Sequence, residues 1–235
     1  MIFSASRARL VTTYVATLIL GYALFIAPNL FFGIFKVAGG LRGLNLAWVG
    51  LFQFVSVTVL VWAALRSLGG SFKSIGWNFD SWPRDIAIGG AFGLAWALVE
   101  MLVLIPAHGG VAEPNVARII ENIDGQLAGL VGYLVLGIVG GGIAEEIFNR
   151  GFAINVLRPA FANPQVGLWV ASSLSIVLFM VGHMPVTAFD WITILVPTLI
   201  YTGLFLGTGR LTAAIAAHAV HNGVVLAIIY ANYIA

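Results

Sequence analysis

The chain has 235 residues, of which 60% are hydrophobic and only 9% are charged, and its net charge is +2. Soluble domains carry roughly one quarter charged residues, so this composition excludes an ordinary soluble domain, and so small a positive charge indicates no nucleic acid partner. The chain contains no cysteine, which excludes disulfides, a thiol nucleophile and thiolate metal ligands.

Apolar runs follow one another along the chain, and most are close to the ~20 residues that a helix needs to cross a bilayer. They predict an all-α polytopic transmembrane helical bundle of seven spans, forming a single integral membrane domain over residues 1–235. The fourth run is longer than a span and is expected to project from the membrane. The runs are Leu10–Ala27, Leu44–Leu65, Ile86–Ala107, Leu127–Leu157, Val166–Met184, Ile192–Leu206 and Leu211–Tyr233.

Two polar inserts separate these runs. In residues 71–83, aromatic and charged side chains alternate, which is typical of a segment lying at the lipid headgroups. Residues 109–126 are expected to form a short amphipathic piece over the opposite end of the bundle.

The basic residues predict the orientation in the membrane. With seven spans, one side receives eight arginines and lysines, and the other side receives Lys36, Arg42 and Arg118. The positive-inside rule then places the N-terminus in the cytoplasm and the C-terminus outside, with the plasma (cytoplasmic) membrane as the expected location. The eight are Arg7, Arg9, Arg66, Lys73, Arg84, Arg150, Arg158 and Arg210.

Charged residues interrupt the fourth run, where Glu145 and Glu146 precede Arg150. A carboxylate near the bilayer centre costs at least ~2.5 kcal/mol on insertion scales, so these groups indicate a functional site. On an α-helix Glu146 and Arg150 share a face at i, i+4, which favours a structural ion pair. Glu145 then points toward the side of Gly137 and Gly141, where the missing side chains leave room for a neighbouring helix or a substrate backbone.

Later runs carry three more polar residues, His183 at the end of the fifth run and His218 with Asn222 inside the seventh. At 1.5 Å per residue, Glu145 and His183 lie ~20 and ~27 Å along their helices from one side of the membrane. From the same side His218 and Asn222 lie ~12 and ~18 Å deep. The four groups are therefore expected to converge in the folded bundle.

These motifs, in this order, resemble the CAAX prenyl protease and bacteriocin-processing family of intramembrane glutamate endopeptidases. The resemblance rests on Glu-Glu-x-x-x-Arg (Glu145, Glu146, Arg150), Phe-x-x-x-His (Phe179, His183) and His-x-x-x-Asn (His218, Asn222), and it covers about residues 127–230. It implies that Glu145 and His183 activate water while His218 and Asn222 form an oxyanion hole, with Glu146 and Arg150 in support. Many members have eight spans, one more than the seven counted here.

The residues themselves suit peptide hydrolysis, which needs a base, donors to the developing oxyanion and a proton source for the departing amine. The substrate implied is a membrane-associated protein or peptide, prenylated or not. No cofactor is expected: the His-Glu-x-x-His pattern of zinc proteases is absent, and the i, i+4 partner of His218 is Asn222, a poor zinc ligand. A metal remains an alternative, because acids and imidazoles also bind zinc.

A second class of function uses the same polar groups. A proton-coupled transporter or a bacteriocin-immunity scaffold would employ Glu145, Glu100 and the histidines as a relay or as polar contacts between helices. Glu100 lies in the middle of the third run and has no assigned role. His221 is expected on a face of its helix different from that of His218, although it could substitute for His218.

Overall fold

The computed structural model describes residues 3–235, which fold into a helical bundle. Seven of its helices are long and apolar enough to cross a membrane, in agreement with the seven predicted spans. We number them with the short helix of the second insert as α1 (Arg7–Phe35), α2 (Asn45–Ser67), α3 (Trp82–Ala107), α4 (Pro114–Ile123), α5 (Leu127–Ala160), α6 (Pro164–Gly182), α7 (Ala188–Thr208) and α8 (Leu211–Tyr233).

Two spans contain π-helix, in which each amide bonds the carbonyl five residues earlier. α3 is π-helical over Glu100–Leu104 and α5 over Leu136–Phe152. This differs from the continuous α-helix assumed for the fourth run, and five glycines lie in the second segment. Because π-helical turns are rare and often occur at functional sites, it is notable that Glu100, Glu145 and Glu146 all lie in them.

The central helix of the bundle is α8, which packs against α3, α5 and α7. Gly89 and Gly93 of α3 make the closest approach, since an added Cβ would lie 2.1 and 2.2 Å from the carbonyl oxygens of Ala213 and Ala217. The absence of side chains at these glycines therefore lets the two backbones touch, as small residues do in membrane helix pairs.

The second polar insert forms α4, as its amphipathic pattern predicts. The Glu113 carboxylate accepts hydrogen bonds from the amides of Asn115 and Val116 and so caps the helix. Val116 and Ile123 are buried, and the Asn115 side chain donates to Asp190 at the start of α7 over 2.9 Å. The insert therefore covers the end of the bundle at which α6 meets α7.

At the other end of the bundle, a buried carboxylate closes the contact between α3 and the α7–α8 turn. Both oxygens of Asp85 accept from the Arg210 guanidinium, at 2.6 and 2.7 Å. Arg210 thus lies at a helix end, as the charge count assumed. Arg150 does not, because its side chain is fully buried in the bundle. If Arg150 is left out of the count, the two sides of the membrane carry seven and three basic residues, so the charge difference between them remains.

Candidate active site

An ion pair without solvent exposure lies at the centre of the site. The Arg150 Nη1 atom lies 2.9 Å from Glu146 Oε1, and neither side chain is exposed. The predicted pairing of these two residues is therefore present, although the helix that carries them is π-helical rather than α-helical. In a low-dielectric interior such a pair is tolerated because each charge neutralises the other.

Glu146 is also bonded to a second helix. The same oxygen, Oε1, lies 2.8 Å from Nδ1 of His218 in α8, so one carboxylate serves both Arg150 and His218. The sequence predicted only the first of these two contacts. Glu146 therefore does more than balance Arg150, since it also fixes which edge of the His218 ring faces α5.

The remaining surface of Arg150 is covered by α6 and α7. Its guanidinium carbon lies 4.2 Å from the ring centre of Phe179, a cation–π contact, and 5.6 Å from that of Tyr201. Nε contacts the Thr202 hydroxyl at 3.4 Å, and Nη2 the Thr198 carbonyl at 3.5 Å. Arg150 consequently joins α5, α6 and α7 behind the site.

Two side-chain nitrogens of α8 converge above Gly141. An added Cβ at this glycine would lie 3.0 Å from Asn222 Nδ2 and 3.4 Å from His218 Nε2. Asn222 Nδ2 also donates to the Gly137 carbonyl over 2.9 Å, and its second N–H has no acceptor within residues 3–235. The sequence left open whether a helix or a substrate fills the room beside Gly137 and Gly141. In the structure α8 packs against these glycines.

A cavity of ≈ 290 Å³ reaches His218 and Asn222 from the end of the bundle covered by α4. It is also lined by His221 and His183, so three of the four predicted catalytic residues line one cavity. Asn115 and Arg118 of α4, Val186 in the α6–α7 loop and Asp190 at the start of α7 also line it.

His183 is the first residue after α6, and its ring makes two contacts with Phe179. Its Nδ1 lies 2.8 Å from the Phe179 carbonyl, and its ring centre lies 4.4 Å from that of Phe179. Bonding of Nδ1 to a carbonyl requires a proton on that nitrogen, so in the neutral ring Nε2 is the acceptor. The following loop exposes Met184 and Val186, whose fractional exposures are 76% and 88%.

Glu145 lies beside this group without a direct bond to it. Its Oε2 atom is buried and has no hydrogen-bond partner in residues 3–235. On this side of α5, Asn149 Nδ2 donates to the Glu145 backbone carbonyl over 3.0 Å, and the Tyr22 hydroxyl of α1 donates to Asn149 Oδ1 over 3.3 Å. Among the described residues no hydrogen bond joins Glu145 to His183, and neither glutamate of the pair lines the cavity.

His221 lies on the same cavity wall as His218, and the expectation that it faces elsewhere is wrong. Its Nε2 lies 2.8 Å from Glu100 Oε2, and its Nδ1 lies 2.7 Å from the Tyr201 hydroxyl. Helix geometry offered the signal that was missed, because residues at i and i+3 are neighbours on one face. Nothing in the sequence indicated that Tyr201 would join them, since it lies in an apolar run.

A comparison with known protein families finds a match in the segment that contains the predicted site residues. Residues 127–224 match a family model described as type II CAAX prenyl endopeptidase Rce1-like. The second half of the chain is thus similar to the CAAX protease family. No curated protein and no solved structure matches the chain.

The similarity of this segment to a protease family supports hydrolase activity on a membrane-associated protein. The matched segment contains the six residues predicted for the site, from Glu145 to Asn222, and it excludes α1 to α4. Tyr22 and Glu100 therefore approach the site from helices outside the matched segment.

We expect Arg150→Met to lower the free energy of unfolding by about 3–5 kcal/mol, because it leaves the Glu146 carboxylate buried beside an uncharged side chain. A double variant, Glu146→Leu with Arg150→Met, should lose less free energy of unfolding than the two single variants lose together. Denaturant unfolding of the purified protein in detergent measures both.

The matched control is Arg42→Met, which breaks an exposed ion pair with Glu121, where the two side chains are 45% and 61% exposed. This change should lower the free energy of unfolding by no more than about 1 kcal/mol. Equal stability of the Arg42 and Arg150 variants would contradict a stabilising role for the buried pair.

Proposed function

We propose that this protein is an intramembrane endopeptidase of the glutamate type, which hydrolyses a peptide bond of a membrane-associated protein or peptide. The observation that carries the proposal is the convergence of His218 Nε2 and Asn222 Nδ2 on the space above Gly141. Oxyanion holes likewise use two neighbouring hydrogen-bond donors directed at the developing negative charge, and both residues line the cavity.

The base in this mechanism is Glu145. Oε2 of each glutamate is buried without a partner among residues 3–235. The two differ at Oε1, because that oxygen of Glu146 is held by both Arg150 and His218, which keeps Glu146 ionised and leaves Glu145 as the carboxylate that can accept a proton. A buried polar atom without a partner requires an explanation, and a catalytic role is one. Glu145 and His183 together hold the water.

The reaction then follows with balanced proton transfers. Glu145 takes a proton from water, and the hydroxide attacks the scissile carbonyl carbon. His218 and Asn222 donate to the resulting oxyanion. When the C–N bond breaks, Glu145 returns the proton to the departing amine, and the products are a carboxylic acid and an amine.

Glu146 assists by supporting a charged His218. Since Nδ1 faces Glu146, Nε2 can donate to an oxyanion only if the ring carries protons on both nitrogens. The Glu146 carboxylate stabilises that imidazolium, and Arg150 offsets the negative charge of Glu146. Arg150, Glu146 and His218 together then present a net positive charge to the oxyanion.

The substrate approaches through the cavity, from the end of the bundle covered by α4. A prenylated CAAX protein, a leader peptide and a membrane-bound regulator are the candidate substrate classes. The basic residues favour a cytoplasmic N-terminus in the plasma membrane, which would place the cavity mouth and the C-terminus on the outer side.

We expect Glu145→Gln to abolish cleavage while the protein stays folded, because the amide keeps the size of the side chain but cannot act as a base. The loss should be at least about 100-fold. Labelling of new N-termini in membranes from cells that produce the wild type or the variant, followed by mass spectrometry, identifies the products.

Glu121→Gln, an exposed change of the same kind, serves as the control and should preserve every product. Full activity of folded Glu145→Gln would end this assignment, and a stable but inactive Glu146→Gln would exchange the roles of the two carboxylates. If the wild type yields no new N-termini, the non-enzymatic alternative gains support.

We also expect activity to survive prolonged treatment with a strong chelator, because Glu145 and His183 hold the water directly in this mechanism. Cleavage is assayed in a detergent in which the protein keeps its melting temperature, and elemental analysis gives the metal content. Activity that disappears with the chelator and returns with zinc, in folded protein, would instead indicate a metalloprotease.

The orientation is tested with single cysteines in this cysteine-free chain. Ala162→Cys lies in the exposed α5–α6 connection and Val186→Cys in the loop at the cavity. A membrane-impermeant thiol reagent should label Val186→Cys in intact cells and Ala162→Cys only in inverted vesicles. The opposite pattern would place the cavity mouth in the cytoplasm.

A further inference from the structure

A second carboxylate–imidazole pair lies in the cavity, beside the pair formed by Glu146 and His218. Glu100 of α3 bonds Nε2 of His221 at 2.8 Å, and the Tyr201 hydroxyl bonds Nδ1 at 2.7 Å. Both nitrogens of the His221 ring are thus engaged. The catalytic roles proposed above use none of these three residues.

The partners determine the direction of each hydrogen bond. With Glu100 ionised, its oxygen must accept, so Nε2 of His221 carries the proton. In the neutral ring Nδ1 is then an acceptor, and the Tyr201 hydroxyl donates to it. For an ionised Glu100 and a neutral His221, this arrangement of protons satisfies all three groups, and it fixes the phenol at one edge.

Tyr201 transmits this constraint to the catalytic histidine. Its ring lies nearly parallel to that of His218, with the ring centres 4.5 Å apart and an interplanar angle of 17°. Tyr201 is only 2% exposed, so its ring has no freedom to move into solvent. His218 is held at Nδ1 by Glu146 and on one face by Tyr201, which leaves Nε2 directed at the space above Gly141.

We propose that Glu100 and His221 act through Tyr201 to position His218 for stabilisation of the oxyanion. All three are positioning residues, and the proposal rests on the proposed function. Glu100 lies on α3, outside residues 127–224, so the matched segment is incomplete without a helix that precedes it. The π-helical turn at Glu100–Leu104 is the local feature that carries this carboxylate.

The first test observes the protonation of the histidine rings directly by NMR. The chain has four histidines, so long-range ¹H–¹⁵N spectra of ¹⁵N-histidine-labelled protein in nanodiscs can resolve each ring. In the wild type, His221 should carry its proton on Nε2 alone. In Tyr201→Phe, which keeps the ring and removes the hydroxyl, the Nδ1 signal of His221 should shift because this nitrogen loses its donor, and the ring signals of His218 should shift and broaden.

Tyr230→Phe is the matched control, on α8 but outside the cavity, and should leave both sets of signals unchanged. If Tyr201→Phe does not fold, Glu100→Gln gives the same test, with Glu121→Gln as its control. Signals of His218 that stay as in the wild type in the folded variant overturn the proposal, as does a wild-type His221 protonated on Nδ1.

The second test is catalytic and uses a farnesylated CAAX peptide in proteoliposomes. Tyr201→Phe and Glu100→Gln should each lower kcat roughly tenfold, equivalent to 1.36 kcal/mol, with KM nearly unchanged. A loss of stability alone would reduce the amount of active enzyme without altering the His218 signals. An unchanged kcat in folded, fully recovered variants overturns the proposal.

The two tests also separate this proposal from the function on which it rests. If the wild type does not cleave the peptide, the proposed function fails for that substrate class. The histidine spectra still decide whether Glu100, His221 and Tyr201 hold His218 in place.

Discussion

The buried carboxylate of Glu146 is the constraint on which the rest of the site depends. In an apolar bundle its charge has to be balanced, and one oxygen accepts from both Arg150 and His218. Arg150 in turn contacts Phe179 of α6 and the Thr198 carbonyl of α7. A single ionised group therefore joins α5 to three other helices, and His218 is part of its charge balance.

Small residues make this arrangement possible, because they let helices approach until backbones touch. Gly89 and Gly93 bring α3 against α8, and Gly141 leaves space beside His218 and Asn222. In water the hydrophobic effect would favour larger side chains at such contacts, but lipid offers no comparable driving force between helices. Close packing and polar contacts take its place, and both are concentrated around α8.

Two acid–imidazole pairs on one helix have different surroundings and so support different roles. His218 faces Glu146 and leaves Nε2 beside Gly141, whereas His221 has both nitrogens engaged, by Glu100 and Tyr201. A ring with a free nitrogen can contact a substrate, while a ring bonded on both sides can hold a neighbour in place. The Tyr201 ring, stacked on His218, connects the two pairs physically.

The sequence by itself determined the spans, because about 20 consecutive apolar residues suffice to define a transmembrane helix. It also determined the pairing of Glu146 with Arg150, which depends only on spacing within one helix. Only the tertiary structure decided that Glu146 meets His218, 72 residues away, and that Glu100 and Tyr201 join His221. The physical reason is that α8 is apolar around most of its circumference, so its sequence does not specify which side faces α3 or α7. Close packing at Gly89 and Gly93 sets that rotation, and with it the direction of every polar group on the helix.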